Sequence, residues 1–344
     1  MRVGIVFHKN PFAPPTGIDL VRLRAISSGL IKKGVQAEII APIGEPGTVA
    51  DLIPVKPLSY LERPCRYDIV KTCYHDSVLL INGYTGPVVS RIVRVVDNRL
   101  PERDQPFRDK LLACQDIIKH RASILILNNE HNRERWTMLY GKEPPVALVP
   151  TGCPAEVPLP GKNPYDGNSE IMLFLGSLAA PRMVDMINAA ARALRNICEI
   201  HLVGLNKICM YGGDPRCSLD PLIVNHGERS ESEIWDYVRH ANIGLALATG
   251  PHAFDNDVSK IVNYLRGGLP VLSEEPIVNN DLIAETGFGR IFTYGDVGDL
   301  ASKASEILKL SLDANKDAVT RFVAREHSWD KRVDVYMDLF RTFV

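Results

Sequence analysis

No cysteine of this chain is paired in a motif. Its seven cysteines (Cys65, Cys73, Cys114, Cys153, Cys198, Cys209 and Cys217) are odd in number, scattered, and nowhere spaced as C-x-x-C. That excludes a disulfide scaffold and a structural zinc site, and reduced thiols are expected. No run approaches the ~18 apolar residues of a membrane-spanning helix, and the opening MRVGIVFHKN lacks the pattern of a secretory leader. A cytoplasmic protein, at most peripheral at the inner membrane surface, is the expectation. No G-x-G-x-x-G follows the first apolar run, which argues against a nicotinamide dehydrogenase. No basic run or basic-aromatic alternation points to nucleic acid.

What is present is an ordinary globular composition, 45% hydrophobic and 24% charged over 344 residues, long enough for two cores. Net charge is −1, but the halves differ: residues 1–155 carry 21 Lys and Arg against 15 Asp and Glu, and residues 156–344 carry 19 against 26. The basic first half suggests an anionic partner, such as an acidic glycan, the phosphates of a lipid carrier or a membrane surface; surface scatter reads equally well.

Apolar periodicity gives a strand at Arg2 to Phe7, a helix at Leu20 to Lys33 and a strand at Gln36 to Ile40, the opening of a doubly wound parallel sheet. Further strands are predicted at Ile69 to Cys73, Val88 to Val96, Ile124 to Leu127 and Val146 to Val149. Helices are predicted at Lys110 to Arg121 and Glu130 to Tyr140. Thr151 to Ser169 holds four prolines and three glycines, a linker composition. The pattern then restarts, with strands at Ile171 to Leu175, Glu199 to Val203, Leu222 to Asn225 and Ile243 to Ala248. Its helices are Met183 to Leu194 and Ser230 to His240, the latter with Ser230 and Glu233 in capping-box spacing. The expected division is 1–153, a linker at 154–168, 169–326, and a terminal helix at 327–344. Ligands would sit beyond the carboxyl ends of the strands, in a cleft between two such sheets.

The stretch PHAFDNDVSKIVNYLRGGLPVLSE, Pro251 to Glu274, is the most informative. A polar loop feeds a helix whose first turn carries Lys260, the wrong sign for helix stability alone and the right one for a bound phosphate. An anion site is one reading. Asp255 or Asp257 as a simple N-cap, with Lys260 a solvated charge, is the other.

Several segments, in order, resemble a known family. These are CQDIIKHRASILILNNEHNRERWTMLYG with VPTGCP after it, LFLGSLAAPRMVDMINAA, IHLVGLN, NHGERSESEIWDYVRHANIGLAL, SKIVNYLRGGLPVL and SWDKRVDVYMDLF. Together they are similar to the GT-B glycosyltransferases, close to glycosyltransferase family 4. The resemblance implies an α/β fold of two Rossmann-like domains with parallel sheets facing a central cleft, and a C-terminal helix returning to the N-terminal domain. It also implies a nucleotide-diphosphate sugar as donor, UDP or GDP, with no cofactor and no essential metal.

The same resemblance implies site roles. Gly176 and Arg182 match a Gly and a diphosphate-binding Lys six positions on, and an Arg fork also suits phosphate oxygens. Ser177 stands where the family has an Arg, and Lys260, in an S-K-I variant with Ser259, would supply the missing charge. The family's two glutamates fall on Asp255, a shorter carboxylate near the transferred sugar, and on Asn263, which can still bond ribose hydroxyls. His226, Gly227 and Glu228 would frame the base, and Gly17 would lie at the acceptor-side glycine loop. Asp97 is the candidate carboxylate at a strand terminus, with a cap or a surface pair as its other reading, and His75 is a second acid-base candidate.

The implied activity is transfer of a sugar to the hydroxyl of a glycan or lipid-linked acceptor in cell-surface glycan synthesis, with retention favoured and inversion open. A catalytically silent homologue that binds a sugar nucleotide or a partner is the alternative, motivated by Ser177 and Asn263. A sugar-nucleotide 2-epimerase would need more acids and bases than the sequence shows.

Overall fold

The computed structural model describes residues 1–14, 17–50, 52–62, 66–97, 105–208, 218–252, 258–310 and 313–344. The chain divides into two compact units, Met1–Pro150 with Trp329–Val344, and Thr151–Ser328.

The first unit alternates β1 (Arg2–Val6), α1 (Ile18–Lys32), β2 (Gln36–Ala41), the short β3 (Gly47–Val49), β4 (Ile53–Pro57), β5 (Ile69–Thr72), β6 (Val88–Arg91), α2 (Gln105–Arg121), β7 (Ile124–Leu127), α3 (Glu130–Tyr140) and β8 (Val146–Leu148). The sheet order is β3-β4-β2-β1-β5-β6-β7-β8, parallel except for the β3–β4 pair. The chain winds outward from β1 to β4 and returns to build β5 to β8 on the other side. Its topological switch point therefore lies between β1 and β5.

The second unit contains β9 (Ile171–Leu175), α4 (Pro181–Leu194), β10 (Glu199–Val203), β11 (Ile223–Asn225), α5 (Ile234–His240), β12 (Ile243–Ala246), α6 (Ser259–Arg266), β13 (Val271–Glu274), α7 (Asn280–Thr286), β14 (Gly289–Phe292), α8 (Val297–Lys309) and α9 (Asp313–His327). Its order, β11-β10-β9-β12-β13-β14, puts the switch between β9 and β12. Strand β9 reads IMLFL with every residue buried, the signature of a strand covered on both faces. Met183, Val184, Ile187, Ala190, Ala191 and Leu194 recur at helical spacing and bury one side of α4. The capping box forms as expected: Ser230 N–H donates to Glu233 Oε2 (2.9 Å), and Glu233 N–H to Ser230 Oγ (3.4 Å). Regular helix nonetheless begins only at Ile234.

The terminal helix, α10 (Trp329–Arg341), belongs to the first unit and packs on α1. Trp329, Val333, Tyr336 and Phe340, spaced by four, three and four, are buried. A Cβ at Gly29 of α1 would stand 2.5 Å from Val333 Cγ2, so the glycine lets the helices close. Burying Val333 and Phe340 contributes ~1.5–3 kcal/mol each.

Two expected strands end early by two residues or more. The one predicted from Val88 to Val96 stops at Arg91, because side chains rather than a neighbouring strand hold the backbone of its second half. Asn128 Nδ2 donates to Val93 O (2.9 Å), Val95 N–H to Asn132 Oδ1 (2.7 Å) and Val96 N–H to Gln115 Oε1 (2.7 Å). Strand β12 pairs with β9 only at Ile243–Met172 and Gly244–Leu173 before the two diverge. The Tyr264 hydroxyl of α6 fills that gap. It accepts from Leu175 N–H (2.7 Å) and faces the carbonyl oxygens of Leu173 and Leu245 (3.1 Å each). At Gly244 a Cβ would fall 2.5 Å from the Tyr264 ring, so only glycine admits the wedge.

Replacing Tyr264→Phe keeps the ring and leaves three buried backbone groups short of a partner. Urea denaturation should show a loss of ~2–4 kcal/mol; a change below about 0.5 kcal/mol would mean the hydroxyl does not hold the strands apart.

Candidate active site

The carboxyl edge of the second sheet is built from strand ends. Gly176 follows β9 at φ +107°, and its N–H donates to Val203 O (2.8 Å). Gly204 follows β10 and donates to Gly227 O (2.9 Å) in the loop after β11. A Cβ on Gly204 would sit 2.0 Å from Gly176 O, so the two backbones touch and present a ledge without side chains.

Lys260 stands over this ledge. It lies one helical turn before Tyr264, so the wedge that fixes α6 also fixes the lysine. It is 9% exposed, its Cε lies 3.8 Å from the Cβ position of Gly176, and its Nζ is 4.0 Å from the centre of the Phe174 ring. Among the described residues no carboxylate reaches it, and burial pulls its pKa down to about 7. An ammonium group at the N-terminus of a helix, beside bare backbone, is chemically suited to an anion.

Arg182 is differently placed. Its Nη2 lies 2.5 Å from Glu274 Oε1, its Nη1 3.0 Å from Oε2, and Nη1 also donates to Ala248 O. The guanidinium stacks over Tyr294 at 4.3 Å. Glu274, wholly buried at the end of β13, accepts further from Ala248 N–H (2.8 Å) and Gly295 N–H (2.9 Å). The cation expected to face a diphosphate is thus compensated within the protein, with its guanidinium used to tie the loops after β12 and β14 to α4.

Ser177 follows Gly176, Ser259 opens α6, and Asn263 lies one turn on, partly exposed, with its carbonyl accepting from Gly267 N–H (3.0 Å). Asp255 lies outside the described residues. His226, one residue past β11, stacks on His201 of β10, with His201 Nδ1 and His226 Nε2 2.8 Å apart sharing one proton. Glu199 Oε2 is 3.3 Å from His201 Nε2, and Tyr165 and Tyr237 pack edge-on to the His226 ring. Burial lowers both histidine pKa values, for His226 with help from His201 and Arg229. The expectation that this loop acts through its backbone missed the His201–His226 pair, which separate strands bring together.

In the first unit, the two acid-base candidates are both buried. His75 is 4% exposed in a turn (His75–Leu80), its Nε2 3.3 Å from Gln115 Oε1, and burial lowers its pKa to about 4. Gln115 Nε2 in turn donates to Val96 O (2.9 Å) and Tyr140 Oη (3.0 Å). His75, Gln115 and Tyr140 thus form one buried hydrogen-bond network. Asp97 ends no strand; it is 5% exposed and ion-paired with Arg135 of α3. Gly17 occupies the N-cap position of α1 at an ordinary φ of −116° and is exposed.

The sheet pair defines the fold class: the chain has the GT-B fold. No family model and no curated protein matches it in sequence. Among solved structures it is similar to sucrose-phosphate synthase from Thermosynechococcus elongatus (14% identity, 99% of this chain and 98% of that one, TM-score 0.79). It is also similar to Anabaena HepE in complex with UDP-glucose (15%, 99% and 100%, 0.72). A third is WaaG, a glycosyltransferase involved in lipopolysaccharide biosynthesis (13%, 99% and 99%, 0.69). Among the described residues no cluster of three metal-ligating side chains is found, and no helix is long and apolar enough to cross a membrane.

Glu274→Gln leaves Arg182 uncompensated and should cost about 3 kcal/mol in chemical denaturation; a neutral result would show that Arg182 does not depend on the carboxylate. His75 must stay neutral in the fold but protonates when unfolded, near pH 6.5. Its contribution is therefore complete above that pH and declines as pH falls toward its folded pKa of about 4, by up to about 1.4 kcal/mol per unit. Denaturation midpoints between pH 4.5 and 7.5 should show this slope in the wild type and a shallower one in His75→Gln.

Proposed function

We propose that the chain is a glycosyltransferase that takes a sugar from a nucleotide-diphosphate donor, UDP-linked in the first instance, and passes it to an acceptor hydroxyl. The observation that carries this is Lys260, a buried cation with no carboxylate among the described residues, beside the bare Gly176 backbone at a topological switch point. The GT-B fold supports it, and HepE of the same fold has been solved with UDP-glucose.

In this reading the diphosphate lies on the Gly176–Gly204 ledge against Lys260 and the N-terminus of α6. As the bond from the anomeric carbon to the leaving phosphate oxygen breaks, negative charge grows on the diphosphate. A preorganised cation in a water-poor site stabilises that charge more than it would in solution. This does the work a divalent metal would otherwise do, so the reaction is metal-independent. Arg182 acts through position, held by Glu274. Ser259 and Asn263 are within the same helix for ribose or phosphate oxygens, Ser177 offers its hydroxyl beside Gly176, and Asp255 would be the carboxylate near the sugar. His226 and Gly227 would flank the base, and Gly17 would approach the acceptor side. Retention of configuration, a glycan or lipid-linked acceptor in cell-surface glycan synthesis, and a cytoplasmic protein touching the inner membrane through its basic half complete the proposal. A silent homologue is the second reading. It draws on the pairing of Arg182 with Glu274 and on an amide, Asn263, where the resemblance expects a carboxylate.

Binding an anion raises the Lys260 pKa, so above pH 7 the complex takes up a proton that the free protein lacks. UDP affinity measured by titration calorimetry should fall between pH 7 and 9, at most about tenfold per unit. Lys260→Met should bind more weakly and lose that dependence. No binding of UDP, GDP, ADP or TDP would overturn the donor site. Tight binding without acceptor-dependent release of the nucleotide would favour the silent homologue.

A further inference from the structure

His201 and His226 form a pair whose protons can be counted. His201 of β10 is 4% exposed, and His226 follows β11 directly before Gly227, whose carbonyl accepts from Gly204 N–H (2.9 Å). The facing nitrogens, His201 Nδ1 and His226 Nε2, are 2.8 Å apart, with 21° between the ring planes. Two bare nitrogens at that distance would repel and two protonated ones would clash, so one proton lies between them. Which ring owns it is decided on the far side of His201. There Nε2 is 3.3 Å from Glu199 Oε2, and a carboxylate only accepts, so Nε2 carries the hydrogen of the neutral ring. Ser169 Oγ donates to the other Glu199 oxygen (2.7 Å), and this bond with that from His201 holds the carboxyl below its ordinary pKa. His201 Nδ1 is therefore bare, His226 Nε2 is the donor, and His226 Nδ1 is left as a lone-pair acceptor.

The surroundings hold both rings in place. Tyr165, ahead of β9, is edge-on to His201 and His226 (4.8 and 6.2 Å between centres), and its hydroxyl donates to Tyr237 O (2.7 Å). Tyr237 of α5 lies 4.8 Å from the His226 ring, and Arg229 Nε donates to its hydroxyl (3.2 Å). Burial first, then His201 and Arg229, with Asp166 opposing, keep the His226 pKa below its ordinary value, so Nδ1 stays bare at neutral pH. Among the described residues no group hydrogen-bonds His226 Nδ1.

We propose that Glu199 and His201 are positioning residues that fix the tautomer of His226, and that His226 Nδ1 accepts a ring N–H from the base of the donor. The tautomer stands on the second unit alone; the base contact rests on the glycosyl-transfer reading. Sheet order places β11 two strands from β9, ~10 Å away. A diphosphate on Gly176 leaves that distance for a ribose and its base to reach His226. Uracil and thymine (N3–H) and guanine (N1–H) offer the required donor. Cytosine N3 and adenine N1 are bare and would set two lone pairs against each other, so the site selects UDP, TDP or GDP sugars over CDP or ADP sugars.

Two measurements on the full chain separate the parts. Proton–nitrogen correlation spectra of the histidine rings, taken without ligand at about pH 7.5, should show Nε2 protonated and Nδ1 bare in both His201 and His226. A proton on His226 Nδ1 would overturn the relay. Glu199→Gln keeps the side-chain length, but an amide can accept or donate, so both tautomers of His226 should appear; an unchanged spectrum would show that Glu199 does not set the tautomer. Titration calorimetry then compares UDP with CDP. UDP should bind about tenfold or more tightly in the wild type, and that ratio should shrink about threefold or more in Glu199→Gln, which leaves Lys260 in place. Equal affinities for UDP and CDP, or a ratio that Glu199→Gln leaves unaltered, would overturn the base contact. If neither nucleotide binds, the donor reading fails and the base contact with it, while the ring spectra still decide the tautomer.

Discussion

The hydroxyl of Tyr264 is the interaction on which the second unit's site depends. Parallel strands β9 and β12 lie on either side of a reversal in winding direction, and there they part. Parting strands leave peptide groups without partners, and burying those groups unsatisfied would be prohibitive. One phenolic oxygen meets Leu175 N–H and faces the Leu173 and Leu245 carbonyls, and Gly244 makes room for its ring. Because the tyrosine is on α6, satisfying the backbone also fixes where that helix begins and where Lys260 stands.

Glu274 solves a related problem at the next strand end. A buried carboxylate needs several donors, and it finds them in Ala248 N–H, Gly295 N–H and the Arg182 fork. Two loops and one helix are thereby tied to one group. The two cations differ accordingly: Arg182 is spent on the rim, while Lys260 meets no carboxylate among the described residues. Each unit buries a lysine that meets no carboxylate among the described residues, Lys71 in one and Lys260 in the other, each against an aromatic face. An aromatic ring tolerates an ammonium group without neutralising it.

Much of the architecture was legible because parallel strands covered on both faces are continuous apolar runs, and β7, β9, β10 and α3 have the predicted bounds. Where side chains replace strand pairing, local pattern misleads: residues 93–96 are apolar enough to read as strand, but Asn128, Asn132 and Gln115 hold their backbone instead. The charge excess of the first half was legible as a sum and not as a location. Arg22, Lys71 and Arg91, all part of it, are interior. An acid closing an apolar run, as in LPVLSE, was the one available signal for Glu274, and by itself it cannot say which cation it will meet.

The sequence by itself determined two strand-helix arrays, the absence of a dinucleotide fingerprint, and a lysine in the first turn of a helix, because each is a matter of period or spacing along the chain. Tertiary structure alone decided which charges are spent and which remain. Arg182 and Glu274 are 92 residues apart, and Lys71 and Arg22 are brought together by strand order. Whether a buried cation is compensated depends on a few ångströms between distant segments, a distance that folding sets and that no local pattern encodes.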